Sequence, residues 1–316
     1  MKRTIEVSTR GTQLSLANSR LVIQREGIIL GNIPIEDIGV LVLDSTGIEL
    51  SSGALRAFAD AGCALLSCDD RHHPNGMFLP LVANTLHAER LRFQVFANDP
   101  LKRNLWSKII ASKIRNQSAL LACTGTRKRL TRLAQDIKSG DKGNSEAQAG
   151  RFYWPMVFDG MIEDSPGPFL RRRAGAPPND LLNYGYAVLR AATARALCAS
   201  GLHPGLGIHH QNRYSGYCLA DDLMEPFRPW VDKRVQDLLK DGIGELNKEG
   251  KKAVLEVLTD ECTVSDALGP VLSALDRSAS SLARCFEASA KGDPTSKSVK
   301  HLLLPKWPRL SCVRDD

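Results

Sequence analysis

The stretch from Thr4 to Asp44, TIEVSTRGTQLSLANSRLVIQREGIILGNIPIEDIGVLVLD, decides how the chain begins to fold. Its apolar residues are mostly Ile, Val and Leu in short alternating runs, and the turn residues Arg10-Gly11, Glu26-Gly27 and Gly31-Asn32 punctuate them. That spacing predicts successive β-hairpins. Downstream, Ser51 to Ala61 (SSGALRAFADA) has helical periodicity behind a serine cap and stops at Gly62. Cys63 to Cys68 (CALLSC) then reads as a buried strand, Asp69 to Gly76 (DDRHHPNG) as a loop, and Met77 to Val82 as a last strand. Residues 1–84 are therefore expected to form a β-rich N-terminal domain.

After Asn84 the period lengthens. Leu105, Ile109 and Ser112, with Lys108 and Arg115 beside them, fall on helical faces, and Gly125 is expected to stop that run. Asn179 or Asp180, behind Pro177-Pro178, opens a helix through Leu182, Tyr186, Leu189, Thr193 and Leu197 that Gly201 and Pro204 close. A further amphipathic helix is expected from about Asp266 to Ala290. Lys138 to Asn144 (KSGDKGN) and Arg172 to Pro178 (RRAGAPP) are polar connectors. The tail beyond Gly292 carries one apolar patch, Leu302 to Leu304, suited to docking on the body or on a partner. Residues 85–316 thus read as an all-α domain, and the whole chain as a two-domain α+β protein.

Composition narrows the function classes. The 316 residues are 43% hydrophobic and 24% charged, and 42 Lys plus Arg against 35 Asp plus Glu leave a net charge of +7. That excess favours a polyanionic partner, nucleic acid first. With aromatics at only 6%, a platform stacking many bases has little material, so cationic contacts with the backbone must carry affinity. No apolar run approaches the ~20 residues a bilayer crossing needs, which argues against a membrane protein. The N-terminus lacks a signal-peptide pattern, and the eight cysteines contain no CxxC pair, which fits reduced thiols in a cytoplasm rather than a zinc site or a disulfide framework.

The densest chemistry lies at Gly207 to Pro229, GIHHQNRYSGYCLADDLMEPFRP. Asp222 and Glu225 stand three apart on an expected helix, so their carboxylates can converge, and Pro226 predicts a kink that re-aims Glu225. Carboxylates with one imidazole suit Mn²⁺ or Mg²⁺ better than a structural zinc. The alternative is a helix start whose acids complement the macrodipole. Ser145-Glu146-Ala147-Gln148 has the form of a capping box opening a helix, which alone accounts for Glu146. The basic runs are Arg127-Lys128-Arg129 with Arg132, Arg171-Arg172-Arg173, and Lys248 with Lys251 and Lys252. The first two abut the connectors flanking Glu146 and suit a phosphodiester backbone. His72 and His73 read as surface turn residues, and nothing resembles a phosphate-binding glycine loop or a nucleophile elbow.

SEAQAGRFYW (Ser145 to Trp154), NDLLNYGYAVLRAATARAL (Asn179 to Leu197) and the Gly207 to Pro229 segment together resemble the CRISPR adaptation integrases, the larger of the two universal adaptation proteins. WSKIIASKIRNQ (Trp106 to Gln117) and CDDRHHPNG (Cys68 to Gly76) fit the branch from type II systems. The resemblance implies a β-sandwich-like N-terminal domain and a helical catalytic domain. It also implies that Glu146, His210 and Glu225 bind Mg²⁺ or Mn²⁺, with Asp222 as a supporting acid and His209 at a position usually apolar in the wider family. Asn183, Tyr184 and Arg228 then support the site or DNA, and Arg127, Lys128, Arg129, Arg171, Arg172 and Arg173 become candidate DNA contacts. The implied reaction is attack of a fragment's DNA 3′-hydroxyl on a phosphodiester of the CRISPR array. The implied partners are double-stranded DNA, fragment and array alike, and the small ferredoxin-like adaptation protein, which bridges homodimers of this chain into a larger assembly. The N-terminal β domain is the expected homodimer surface. Two rival readings use the same residues: a metal-dependent nuclease for branched DNA, and a non-catalytic DNA-bending scaffold.

Overall fold

Ile38–Leu43 (IGVLVL) is apolar without alternation, the pattern of a strand buried on both faces, and the fold uses both. The computed structural model describes residues 2–81, 83–162, 167–172 and 177–308. Its strand-rich region runs β1 (Arg3–Val7), β2 (Thr12–Ala17), β3 (Arg20–Arg25), β4 (Ile28–Pro34), β5 (Ile38–Leu43), β6 (Glu49–Leu50), α1 (Ser52–Asp60), β7 (Ala64–Cys68) and β8 (Pro74–Phe78). Two four-stranded sheets result, ordered β1-β5-β7-β8 and β4-β3-β2-β6. On one face of the first sheet Ile38, Leu41 and Leu65 pack with Leu14, Leu21 and Phe58. From its other face Val40, Val42, Ala64 and Leu66 join the core of the helices.

The hairpin expectation holds only in part. Glu26-Gly27, both at positive φ, does join β3 to β4. The β2–β3 turn, however, is Asn18-Ser19, two consecutive left-handed residues of the kind a tight hairpin needs. Arg10-Gly11 instead carries the chain from one sheet to the other, and Gly31-Asn32 lies inside β4, opposite Ile23 and Val22. The first sheet is largely parallel, with β1, β5 and β7 paired side by side. Its last strand begins at Pro74 rather than Met77, because Asp69 closes a shorter loop by accepting the amides of Arg71 and His73.

The helical region comprises α2 (His87–Val95), α3 (Asp99–Leu120), α4 (Thr124–Gln135), α5 (Ser145–Val157), α6 (Asn179–Ala199), α7 (Cys218–Met224), α8 (Arg228–Lys240), α9 (Lys248–Leu255), α10 (Val271–Ala290) and α11 (Thr295–Ser298). Asn98 caps α3 through Leu101 N–H. Gly125 does not end that helix: the chain turns extended at Leu121, and Gly125 sits in the first turn of α4. The long C-terminal helix starts at Val271, not Asp266. Ser265 and Asp266 are both left-handed and form the turn of a hairpin, β9 (Glu261–Val264) with β10 (Ala267–Pro270). The tail docks as expected: Leu302 is buried, Lys306 bridges to Thr263, and Ser112 and Asn116 on α3 donate to the Pro305 carbonyl. Of the cysteines described, Cys123 is exposed and Cys63, Cys218, Cys262 and Cys285 are buried, all as free thiols. Among the described residues no helix is long and apolar enough to cross a membrane.

Candidate active site

Four segments meet at the site. The loop before α7 is shaped by Gly207, where an added Cβ would fall 2.1 Å from the His210 carbonyl oxygen and 3.1 Å from Asp222 Oδ2, so no other residue fits this close approach. Asp222, fully buried on α7, gathers the loop: Oδ2 accepts the amides of Ile208 (2.6 Å) and His209 (2.9 Å), and Oδ1 accepts the amide of His210 (3.2 Å). Oδ1 also meets His210 Nδ1 at 2.6 Å. A carboxylate acceptor there places a proton on Nδ1, so Nε2 is the nitrogen that can ligate a metal once it has given up any proton of its own. His209 lies flat on the indole of Trp106 from α3, 4.2 Å between ring centroids and 5° between planes. The two histidines are thereby separated in role: one is packing, the other is held by its Nδ1 at the edge of a cavity.

The carboxylates come from different elements. At Pro226 the helical path tightens into a 3₁₀ turn, Glu225–Phe227, which buries Glu225 between α7 and α8; Glu225 itself stays helical (φ −51°, ψ −46°), so the expected departure from the helical path at that residue does not occur and only the pitch changes. Asn116 of α3 fixes that turn by donating to the Pro226 carbonyl. Glu146 stands in the first turn of α5. The capping box is not formed there: Asn144, at φ 53°, precedes the helix, and Asp141 reaches forward to accept the amides of Ser145 (2.8 Å) and Glu146 (3.0 Å). Glu146 is thus relieved of capping and turns to Lys113 of α3, whose Nζ lies 2.6 Å from Glu146 Oε1 and 2.7 Å from Glu225 Oε2. Arg228 Nη2 takes the other oxygen of Glu225 at 2.9 Å.

The charges reinforce one another. Burial pushes the Glu225 carboxyl up, but Arg228 and Lys113 outweigh it and hold the group below its ordinary range. Burial likewise lowers Lys113, and Glu225 and Glu146 more than restore it, so the ammonium persists. The hydrogen bond from Asp222 raises His210 against a burial cost, with Glu225 and Glu146 adding to it. Behind them the carboxylate of Asp232 on α8 accepts the hydroxyls of Tyr153 (2.6 Å) and Tyr186, and the guanidinium groups of Arg171 and Arg228 lie 5.3 Å and 4.8 Å from the Tyr186 ring.

Among the described residues, besides a cavity of about 450 Å³ lined by Gly207, His210, Asn212 and Cys218 among others, two cavities open here. One of about 300 Å³ is lined by Lys113, Gln117, Glu146, Tyr186, Arg228 and Asp232 among others. The larger, about 1040 Å³, has His210 on its wall with Arg71, Arg171, Arg172, Arg190 and Arg228 against Asp69, Asp180 and Asp221, a trough with an excess of cationic side chains in which Asp221 pairs with Arg190 at 2.6 Å. Of the expected DNA contacts, Arg171, Arg172 and Arg228 line this trough, and Arg173 lies outside the described residues. Arg127, Lys128 and Arg129 are exposed on α4, and Arg129, stacked 3.5 Å over Phe152, lines a further cavity with Asn144 and Ala147, which also border the Glu146 cavity. Tyr184 does not reach the site. It is buried on the side of α6 toward the first sheet, near Glu6, Cys68 and Asp44, while Tyr186 faces the carboxylates. Asn183 accepts from Arg171 Nη2 at 2.6 Å.

Among the described residues no three His, Cys, Asp or Glu side chains close on a single point as they stand. The donor set nevertheless suits a hard divalent cation: two carboxylates already share one cation, His210 engages Asp222 through Nδ1 and so has Nε2 to offer, and Glu225 Oε2 is buried without a hydrogen bond, held only by the ion pair. The reading of the sequence missed Lys113, Gln117, Arg190, Tyr186 and Asp232 as site residues. For the first two a signal existed, since Trp106, Lys113 and Gln117 recur at helical spacing within WSKIIASKIRNQ.

A strand-rich region backed by helices, with two glutamates meeting at a lysine beside an arginine-bearing trough, suits a class: enzymes acting on phosphodiester polyanions. Comparison with known proteins is specific. The family model described as "CRISPR associated protein Cas1" matches residues 5–259. The chain is 35% identical over 301 residues to the CRISPR-associated endonuclease Cas1 of Neisseria meningitidis, covering 94% of this chain and 93% of that protein. Among solved structures, a casposase bound to integration product superposes with a TM-score of 0.75 at 18% identity, over 93% of both chains. A Cas6-RT-Cas1–Cas2 complex gives 0.73 at 17% identity, over 98% of this chain and 36% of that one. The structures establish the shared fold; the family match and the Neisseria relative establish kinship. The chain belongs to the Cas1 family of CRISPR-associated proteins.

Proposed function

We propose that Glu146, Glu225 and His210 bind one divalent cation, Mg²⁺ or Mn²⁺, at the reaction centre of this Cas1-family endonuclease and integrase of CRISPR adaptation. The observation that carries this reading is that Glu146 and Glu225, from separate helices, converge on one buried cation. Glu146 and Glu225 would ligate through carboxylate oxygen and His210 through Nε2, held in that tautomer by Asp222. Such an ion lowers the pKa of an attacking hydroxyl and offsets charge building on the phosphoryl oxygens. The chain supplies the rest by position. Arg171, Arg172, Arg190 and Arg228, with Arg71 across the trough, would hold the phosphodiester backbone of double-stranded DNA against the carboxylates. A fragment's 3′-hydroxyl, brought there, would lose its proton and attack an array phosphodiester without a protein nucleophile, the new P–O bond forming as the array strand's own P–O3′ bond breaks and its 3′-oxygen leaves as a hydroxyl after taking up a proton.

Two partners complete the proposal. Residues 1–84 form the homodimerisation domain, in keeping with the edge strand β4, which leaves Ile28, Ile29 and Leu30 each more than 60% exposed. The small ferredoxin-like adaptation protein bridges such homodimers, in line with the fold shared with a Cas1–Cas2 complex.

A strand-transfer assay tests this reading. Purified protein, with and without the small partner, receives a labelled duplex with free 3′-hydroxyl ends, a supercoiled plasmid bearing leader and repeat, and Mg²⁺ or Mn²⁺. We expect label joined to plasmid in wild type, and a loss of ~10³-fold or more in Glu146→Ala and His210→Ala with folding and DNA affinity retained. Cutting without joining would favour a branched-DNA nuclease, and metal-indifferent binding alone a scaffold.

A further inference from the structure

The segment WSKIIASKIRNQ lies on α3, and that helix is the third wall of the site. Trp106, Lys113 and Gln117 share the stripe that faces it: Trp106 stacks on His209, Lys113 bridges the two glutamates, and Gln117 lines the smaller cavity. Lys113 uses Oε1 of Glu146 and Oε2 of Glu225, while Arg228 holds the remaining oxygen of Glu225. Both oxygens of Glu225 are therefore already engaged by cations. Glu146, Glu225, Lys113 and Arg228 sum to zero charge in a site where Glu225 is only 3% exposed and Lys113 12%. Arg228 and Glu146 are more open, at 26% and 31%, so adding a doubly charged ion to that neutral cluster leaves uncompensated positive charge that is poorly screened at its buried Glu225 end.

We propose that Lys113 is a resident counter-cation that competes with the divalent ion for Glu146 and Glu225, so that metal binding requires its ammonium to leave them. The proposal rests on the metal reading above. Two features fit a displaceable ammonium. Its contact with Glu225 Oε2, though short, is not an aligned hydrogen bond, and that oxygen is otherwise unpartnered. One turn along α3, the buried Oε1 of Gln117 also has no hydrogen-bond partner and lines the same cavity of about 300 Å³ as Lys113, so an acceptor stands where a released ammonium would swing. In this arrangement Lys113 keeps the glutamates ionised and together before metal arrives, and sets how tightly metal is held.

The test is Mn²⁺ affinity without DNA, read from the electron paramagnetic resonance signal of free Mn²⁺, on wild type, Lys113→Met and Glu225→Ala, with folding checked by circular dichroism. Lys113→Met should bind Mn²⁺ at least 10-fold more tightly than wild type, and Glu225→Ala should lose binding. Equal or weaker binding by a folded Lys113→Met, beside a wild type that binds, would overturn the proposal. Should Lys113→Met not fold, wild type decides: amine acylation mapped by mass spectrometry should rise at Lys113 when Mn²⁺ saturates the site, and unchanged labelling counts against displacement. If neither wild type nor Lys113→Met binds Mn²⁺, the metal reading itself fails, a pattern distinct from failure of competition alone.

Discussion

Asp222 organises more of the site than any other single side chain. Its two oxygens accept three consecutive backbone amides and the imidazole of His210, all from one buried position. Asp222→Asn replaces one acceptor oxygen by an NH₂ that faces donors, so bonds are lost and a donor is set against a donor. We expect ~1–3 kcal/mol of destabilisation and strand transfer lowered ~10–100-fold, measured by thermal melts and by the joining assay; wild-type joining in this variant would show that His210 needs no such anchor. The residue scale also shows where sequence reading stopped. Two adjacent histidines and three nearby acids, Asp221, Asp222 and Glu225, were visible in Gly207 to Pro229, and only the family resemblance, not their spacing, told His210 from His209. Their different duties depend on Trp106 and Lys113, far away in the chain and brought alongside only by packing of α3.

At the scale of elements, the start of α5 decides where Glu146 points. SEAQ has the letters of a capping box, yet the chain enters the helix through a left-handed Asn144, and the acceptor for the first amides is Asp141. Removing that acceptor in Asp141→Ala should cost about 1 kcal/mol, up to about 2, as for other helix caps. Ser145→Ala should cost less, and differential scanning calorimetry of the two variants separates the assignments: a larger loss in Ser145→Ala would restore the capping box. Local signals were reliable where one residue acts on its own neighbours, as with Ser51 capping α1 and Gly201 closing α6. They failed where a distant partner or a left-handed pair took over. Asn18-Ser19 displaced the stronger-looking Arg10-Gly11 as a hairpin turn, and Ser265-Asp266 turned an expected helix start into a hairpin.

Across the whole molecule, the first sheet is a shared layer, since Val40, Val42, Ala64 and Leu66 belong to the core of the helices. A polar seam runs along the same junction. Lys251 of α9 pairs with the buried Asp44 at the end of β5 at 2.6 Å, and His72 meets the other oxygen of Asp44 at 2.8 Å. Glu6 of β1 enters this seam beside Asp44, facing Lys251, His72, Cys68 and Tyr184. Burial first, and then repulsion by Asp44, push its carboxyl up to about 7 against the pull of Lys251 and His72. A carboxyl raised on folding binds its proton more tightly in the native state than in the unfolded chain. Its contribution to stability is therefore complete below the ordinary carboxylate value and is lost as pH rises through about 7. Because Glu6 keeps some contact with solvent, the loss should be about 1 kcal/mol, or roughly 2 °C in melting temperature for a chain of this size. Glu6→Gln abolishes that titration, so its melting temperature relative to wild type should climb between pH 5 and pH 8. Melts of both proteins across that range check the sign: a difference that stays flat would mean Glu6 is ionised throughout, and one that falls would mean the seam prefers the carboxylate, with Lys251 outweighing Asp44.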